Sequence, residues 1–187
     1  MMSKKNIRKF FKYFVFTILF FAVCAFQTSF WSELITFVPA PQFWLIFLVY
    51  IFLKWPGFQT IFYTYFLGYI LMLFTLMPLE MSWFTLLGLY AFVWLFKNRI
   101  HSSSLFLFSV LCAASSLYYS GIYILCSTIL ESKITSFLIF HRVLEAGMTF
   151  LASGIIYLLL DLFDRFFATD ESWSPATPNL NSHLDDI

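Results

Sequence analysis

Six apolar stretches, separated by short polar breaks, fill the chain from residue 10 to residue 163. Most approach the ~20 apolar residues that a helix needs to cross a bilayer. The pattern predicts spans over 10–27, 41–55, 60–77, 81–97, 104–128 and 140–163. The breaks carry the punctuation expected of helix ends. Residues 28–42 form a polar break with Glu33 and Pro39-Ala40-Pro41. Lys54, Trp55 and Pro56-Gly57 end the second span, and Pro78 closes the third. Lys97-Asn98-Arg99 stops the fourth, and Glu131, Ser132 and Lys133 mark the loop before the sixth. Pro41 suits the first turn of the second span, where its missing N–H costs nothing. No internal repeat is visible. The fold expected is an all-α integral membrane protein, a bundle of six transmembrane helices.

The second stretch is short, so the distribution of charge is used to decide whether it crosses. Lys and Arg collect in cytoplasmic loops. With six crossings and the chain's head inside, Lys4, Lys5, Arg8, Lys9, Lys12, Lys54, Lys97, Arg99 and Arg165 are internal, while Lys133 and Arg142 are external, nine against two. If the second stretch does not cross, the division weakens to seven against four. The six-span arrangement, with both termini cytoplasmic, fits the rule better. Trp44, Trp55, Trp83 and Trp94 fall near expected helix ends, where aromatic belts form. Lys12 is placed to snorkel to the inner interface. The organisation expected is a basic cytoplasmic head over 1–9, a transmembrane domain over 10–167 and an acidic, disordered tail over 168–187.

Composition agrees. The 187 residues are 61% hydrophobic and 11% charged, with mean hydropathy +0.84, whereas soluble domains carry about 25% charged residues. The net charge of +1 hides a strong polarity. Five cations crowd residues 1–12, and six carboxylates stand against Arg165 over 161–187. The basic run abuts an apolar helix and reads as a membrane-retention signal, so no nucleic-acid partner is expected. Cys24, Cys112 and Cys126 lie within apolar stretches with no C-x-x-C spacing, and read as small apolar filler. The basic head and first apolar run mimic a signal peptide. The run is long, however, and its end, Cys24-Ala25-Phe26-Gln27, lacks an A-x-A site, so it reads as an uncleaved first span.

Few polar groups enter the spans. His141, Arg142 and Glu145 open the sixth. His141 and Glu145 are at i,i+4 and Arg142 and Glu145 at i,i+3, so they can share a helix face. The group reads either as a local interfacial ion pair or as an outward polar patch that meets a partner or ligand. Asp161 and Arg165, also at i,i+4, read as an interfacial pair. The centres of spans 1, 3, 4 and 5 hold no ionisable residue, which argues against proton or ion transport. Paired carboxylates, a nucleophile with its base, and clustered metal ligands are all missing from the pattern. No enzyme, catalytic residue, cofactor or metal is therefore expected.

Small residues are better placed. They let helix backbones approach closely in lipid, either within the bundle or against another protein's helix. Thr64 and Gly68 are four apart in span 3. Ser109, Ala113 and Gly121 follow one face of span 5, as do Ser116 and Ser120. Ala146, Gly147, Thr149, Ser153 and Gly154 cluster in span 6. The candidate partner-binding or helix-packing residues are Gly68, Ser116, Ser120, His141, Arg142, Glu145, Gly147 and Gly154.

The stretch from Pro41 to Arg99 carries a resemblance. It reads Pro41-Gln42-Phe43-Trp44, an apolar run to Tyr50, Lys54-Trp55-Pro56, then Phe66-Leu67-Gly68-Tyr69-Ile70-Leu71-Met72, Pro78-Leu79-Glu80, and a span ending at Lys97-Asn98-Arg99. This order resembles the rod shape-determining membrane protein MreD family, whose size, six spans and cytoplasmic ends are also similar. Two positions depart from the family's pattern. Met72 stands where the family often has aspartate, and Glu80 where its turn usually has glycine, so any ion-dependent role of that aspartate does not carry over. The resemblance implies the six-helix fold of the substrate-binding, vitamin-type subunits of energy-coupling transporters. It also implies a non-enzymatic scaffold of the cell-elongation complex in the bacterial inner (cytoplasmic) membrane. The implied partners are an MreC-like periplasmic coiled-coil membrane protein, an MreB-like filament, and the peptidoglycan polymerase and transpeptidase. The alternative is a substrate-binding membrane subunit of a small-molecule transporter. That reading needs an outward pocket, for which His141, Arg142, Glu145 and Glu80 are the available polar groups.

Overall fold

The structure, a computed structural model, describes residues 4–31, 33, 39–75, 78–97, 104–130 and 139–167. These form six helices: α1 (Lys4–Ala25, continued as a π-helical turn over Phe26–Trp31), α2 (Phe43–Lys54), α3 (Gly57–Phe74), α4 (Leu79–Lys97), α5 (Leu105–Leu130) and α6 (Ile139–Phe167). No strand occurs among the described residues. Five of the helices are long and apolar enough to cross a membrane, which makes this a multi-pass membrane protein. The exception is α2, with 12 residues. At 1.5 Å per residue it is roughly 18 Å long, well short of the ~30 Å hydrocarbon core.

The short helix is the centre of the molecule. Every residue from Trp44 to Phe52 is buried, and α2 touches each of the other five helices. A helix that is apolar all round has no preferred face, so its stable position is one where every face is covered. Aromatic side chains do much of the covering. Phe16 and Phe20 of α1 both lie 5.5 Å from the ring of Phe47. Tyr119 of α5 meets Trp44 edge-on at 4.9 Å, Tyr90 of α4 meets Phe52 at 5.3 Å, and Tyr157 of α6 meets Tyr50 at 5.8 Å. Leu67 and Leu71 of α3 join the same cluster.

Because α2 is wrapped in protein, its end groups are satisfied by protein. The backbone N–H of Gln42 donates to Thr149 Oγ1 at 3.0 Å. At the other end, Lys97 Nζ donates to the carbonyls of Phe52 and Trp55 at 3.0 and 2.8 Å. Helix termini leave backbone groups unpaired, and in an apolar surround each must find a partner. The lysine also places a positive charge at the negative end of the helix dipole.

Contacts fix the helix directions. Lys12 near the start of α1 pairs with Asp164 near the end of α6, and Tyr13 donates to Gln59 near the start of α3. Gln42 at the start of α2 meets Glu145 near the start of α6. The helices therefore alternate in direction, and both ends of the described chain share one end of the bundle, here called the terminal end. Two close approaches lock neighbouring helices. A Cβ on Gly68 of α3 would come within 3.1 Å of the Trp83 ring and 3.2 Å of Leu86 on α4, and one on Gly88 of α4 within 2.8 Å of Ile122 on α5. Many remaining phenylalanines, among them Phe58, Phe62, Phe84, Phe140 and Phe166, face outward.

Several expectations change. The span expected over 41–55 is a helix of 12 residues with Gln42 as its N-cap. Pro41 therefore stands before the helix rather than in its first turn, and its carbonyl accepts from Phe43 N–H at 2.9 Å. The polar break expected from residue 28 begins later, because α1 continues through its π turn to Trp31. Thr28 Oγ1 donates back to the Cys24 carbonyl at 3.0 Å, and Phe26 and Trp31 pack on Phe43. Those aromatic contacts reward the extra turn. Lys12 pairs with Asp164 at 2.5 Å and lies over the Trp55 ring. The basic head, from Lys4 on, is the beginning of α1. The tail over 168–187 lies outside the described residues.

Candidate functional site

Two polar clusters sit at opposite ends of the bundle. The far end, remote from the chain termini, holds a cavity of about 300 Å³. This is at the lower bound of small-ligand pockets. Its wall draws on five helices: Gln27 from the π turn of α1, Gln42 and Trp44 from the head of α2, Thr75 from the end of α3, Tyr119, Ser120 and Tyr123 from α5, and Arg142 and Glu145 from α6.

The polar network begins on α6. Arg142 Nη1 donates to Glu145 Oε2 at 2.9 Å, the local pair that their spacing allows. Glu145 is the more buried partner, its side chain 12% exposed against 38% for Arg142. Its second oxygen accepts from Gln42 Nε2 at 2.7 Å. Thr149, one turn on, donates to the Glu145 carbonyl at 2.8 Å while accepting from the Gln42 backbone. A carboxylate can only accept, so the bond to Glu145 fixes which end of the Gln42 amide faces it. The other end, Oε1, is buried and has no hydrogen-bond partner. Gln27 Oε1 is likewise buried and unpartnered. Each orphaned oxygen costs about 1–3 kcal/mol relative to a satisfied one.

The second cluster lies at the terminal end. Asp161 is held by Arg165 at 2.8 Å, the expected i,i+4 pair, and also by Lys54 of α2 at 3.6 Å. Asp164 takes Lys12 of α1. Tyr50, fully buried on α2, donates its hydroxyl to the Leu160 carbonyl at 3.3 Å. The two clusters thus fasten α6 to α2 at both ends, with α1 joining at the second.

The residues singled out from sequence separate. Arg142 and Glu145 line the cavity together with Ser120. Ser116 is buried on the same helix as Ser120. His141 is exposed and Glu80 is exposed, and neither lines the cavity. Gly68 lies in the α3–α4 contact. The small residues of α6 divide between two faces. Ala146, Thr149 and Ser153 point into the bundle, whereas a Cβ on Gly147 or Gly154 would meet nothing within 4 Å. Gly121 of α5 is equally open. Sequence reasoning missed Gln27, Gln42, Trp44, Tyr119 and Tyr123. The glutamines are the uncharged polar residues flanking the first inter-span break, and that position was their available signal. Among the described residues, no three His, Cys, Asp or Glu side chains stand close enough to hold a metal ion.

Compared with known proteins, the chain matches no family model, no curated sequence and no solved structure.

Proposed function

We propose that this chain is a non-enzymatic scaffold of the bacterial cell-elongation complex. In this reading it is a six-helix inner-membrane protein with both termini cytoplasmic. It holds an MreC-like periplasmic coiled-coil protein and couples an MreB-like filament to the peptidoglycan polymerase and transpeptidase. The order of motifs between Pro41 and Arg99 suggests the family. The structural observation that supports the role is the outer face of α6. Val143, Leu151, Ile155, Leu158 and Leu162 are exposed there, and the open glycines 147 and 154 lie among them. Polar contacts at both ends hold the helix rigidly in the bundle, so its face is preorganised for another helix. Open glycines admit close backbone approach in lipid.

Co-purification in mild detergent, with mass spectrometry of bound proteins, tests this. Recovery of a single-span coiled-coil protein with wall-synthesis enzymes is the expected result, and Gly147→Leu with Gly154→Leu should reduce it without loss of membrane insertion. The second reading, a substrate-binding subunit of a small-molecule transporter, is favoured by the far-end cavity. Recovery of an ATPase module instead of wall-synthesis proteins would replace the first reading by the second.

A further inference from the structure

The far-end cavity carries chemistry that the scaffold role leaves unused. Its wall includes two glutamines whose amide oxygens have no hydrogen-bond partner. Gln42 is 3% exposed, its Nε2 is committed to Glu145, and its Oε1 faces no donor. Gln27 adds a second amide whose oxygen has no donor. The rings of Trp44, Tyr119 and Tyr123 stand in the same wall, with the Glu145 carboxylate among them. Carbonyl oxygens, a carboxylate and aromatic faces together make a receptor for an ammonium group, through N–H donation and cation–π attraction. Arg142 gives one nitrogen to Glu145. Its remaining N–H groups suit an anionic oxygen, which guanidinium recognises well. Arg142 sits in the first turn of α6.

We propose that this cavity binds a zwitterion made of a primary ammonium and an adjacent phosphate, the chemistry of phosphoethanolamine. The ammonium enters beside Gln42 and Gln27, whose terminal amide torsions, which are soft, turn the orphaned oxygens toward it. The phosphate remains at Arg142. The source is either an ethanolamine lipid headgroup or the free zwitterion. The proposal uses the cavity that the transporter reading would need, but it depends on neither transport nor any protein partner.

The test contrasts primary with quaternary ammonium, because choline carries the same charge without N–H donors. The full chain is reconstituted in nanodiscs of phosphatidylethanolamine mixed equally with phosphatidylcholine, and retained lipid is read by native mass spectrometry after release into detergent. In parallel, soluble phosphoethanolamine and phosphocholine are titrated against the detergent-solubilised protein. Wild type should prefer the ethanolamine form by about tenfold, the scale of one or two buried hydrogen bonds. Preference in both formats identifies a site open to the free zwitterion; preference in nanodiscs alone identifies the lipid. Gln42→Leu should abolish the preference. Gln27→Leu, which removes an oxygen with no partner in the fold, should abolish or strongly reduce it while leaving thermal stability unchanged or raised. Equal retention of ethanolamine and choline forms, binding unaffected by Gln27→Leu, or no binding in either format overturns the proposal. None of these outcomes bears on recovery of protein partners, so this site and the scaffold role can fail separately.

Discussion

The residues with the largest expected effects are those whose partners come from another helix. Glu145 holds Arg142 on its own helix and Gln42 on α2. Glu145→Ala leaves both donors without their acceptor and should cost about 1–3 kcal/mol of stability, read as a lower midpoint of thermal unfolding in detergent. Because the two side chains share one network, Gln42→Leu with Glu145→Leu together should cost less than the sum of the single changes. Gly68 is a different case, governed by space. A side chain there meets the Trp83 ring and Leu86. Gly68→Leu should force α3 from α4 at about 1–3 kcal/mol or more, seen as reduced folded yield, while Gly68→Ala should cost much less. Gly147→Leu, with open space around it, should leave stability unchanged in the same assay.

At the scale of elements, α2 poses the main physical problem. It is too short to cross lipid by itself and too apolar to lie in water, and burial on all sides resolves both. What remains is the pairing of its ends. Lys97 reaches from α4 to the last carbonyls of α2. Lys97→Met keeps the aliphatic stem but removes the donor, and should destabilise by about 1–3 kcal/mol. Lys97→Arg, which can still donate, should recover part of the loss. A thermal unfolding series of the three proteins checks the order. If Lys97→Met matches wild type, water reaches this end of α2 and the cap is dispensable.

For the whole molecule, the ionic cluster at the terminal end joins the first helix to the last. Lys12 and Asp164 are each about three-quarters buried, so separating them leaves a charge in a poor solvent. Lys12→Glu or Asp164→Lys alone should lower the unfolding midpoint, and the combined swap should restore most of it. The same pairing puts the two ends of the described chain on one side. Reporter fusions at the N- and C-terminus should therefore give the same sidedness; opposite signals would mean that the helices do not alternate as they do here.

The sequence by itself determined the solvent and the helices. Apolar runs near bilayer length can satisfy their backbone only as helices, and Pro56-Gly57, Pro78 and Lys97 set ends close to those observed. It also showed the Arg142–Glu145 and Asp161–Arg165 pairs, because helical spacing at i,i+3 and i,i+4 is local geometry. Position in three dimensions was not legible in the same way. Counting charges cannot distinguish a helix that meets lipid from one wrapped in protein, so α2 read as a short span rather than the buried axis of the bundle. Gln42 and Gln27 carried no charge or periodicity to mark them. They come together only where α1, α2, α3, α5 and α6 converge at one end, with Gln42 and Glu145 separated by 103 positions along the chain. Only the tertiary structure decided which small residues are packed and which are open, since the helical period defines faces but not which face meets a neighbour.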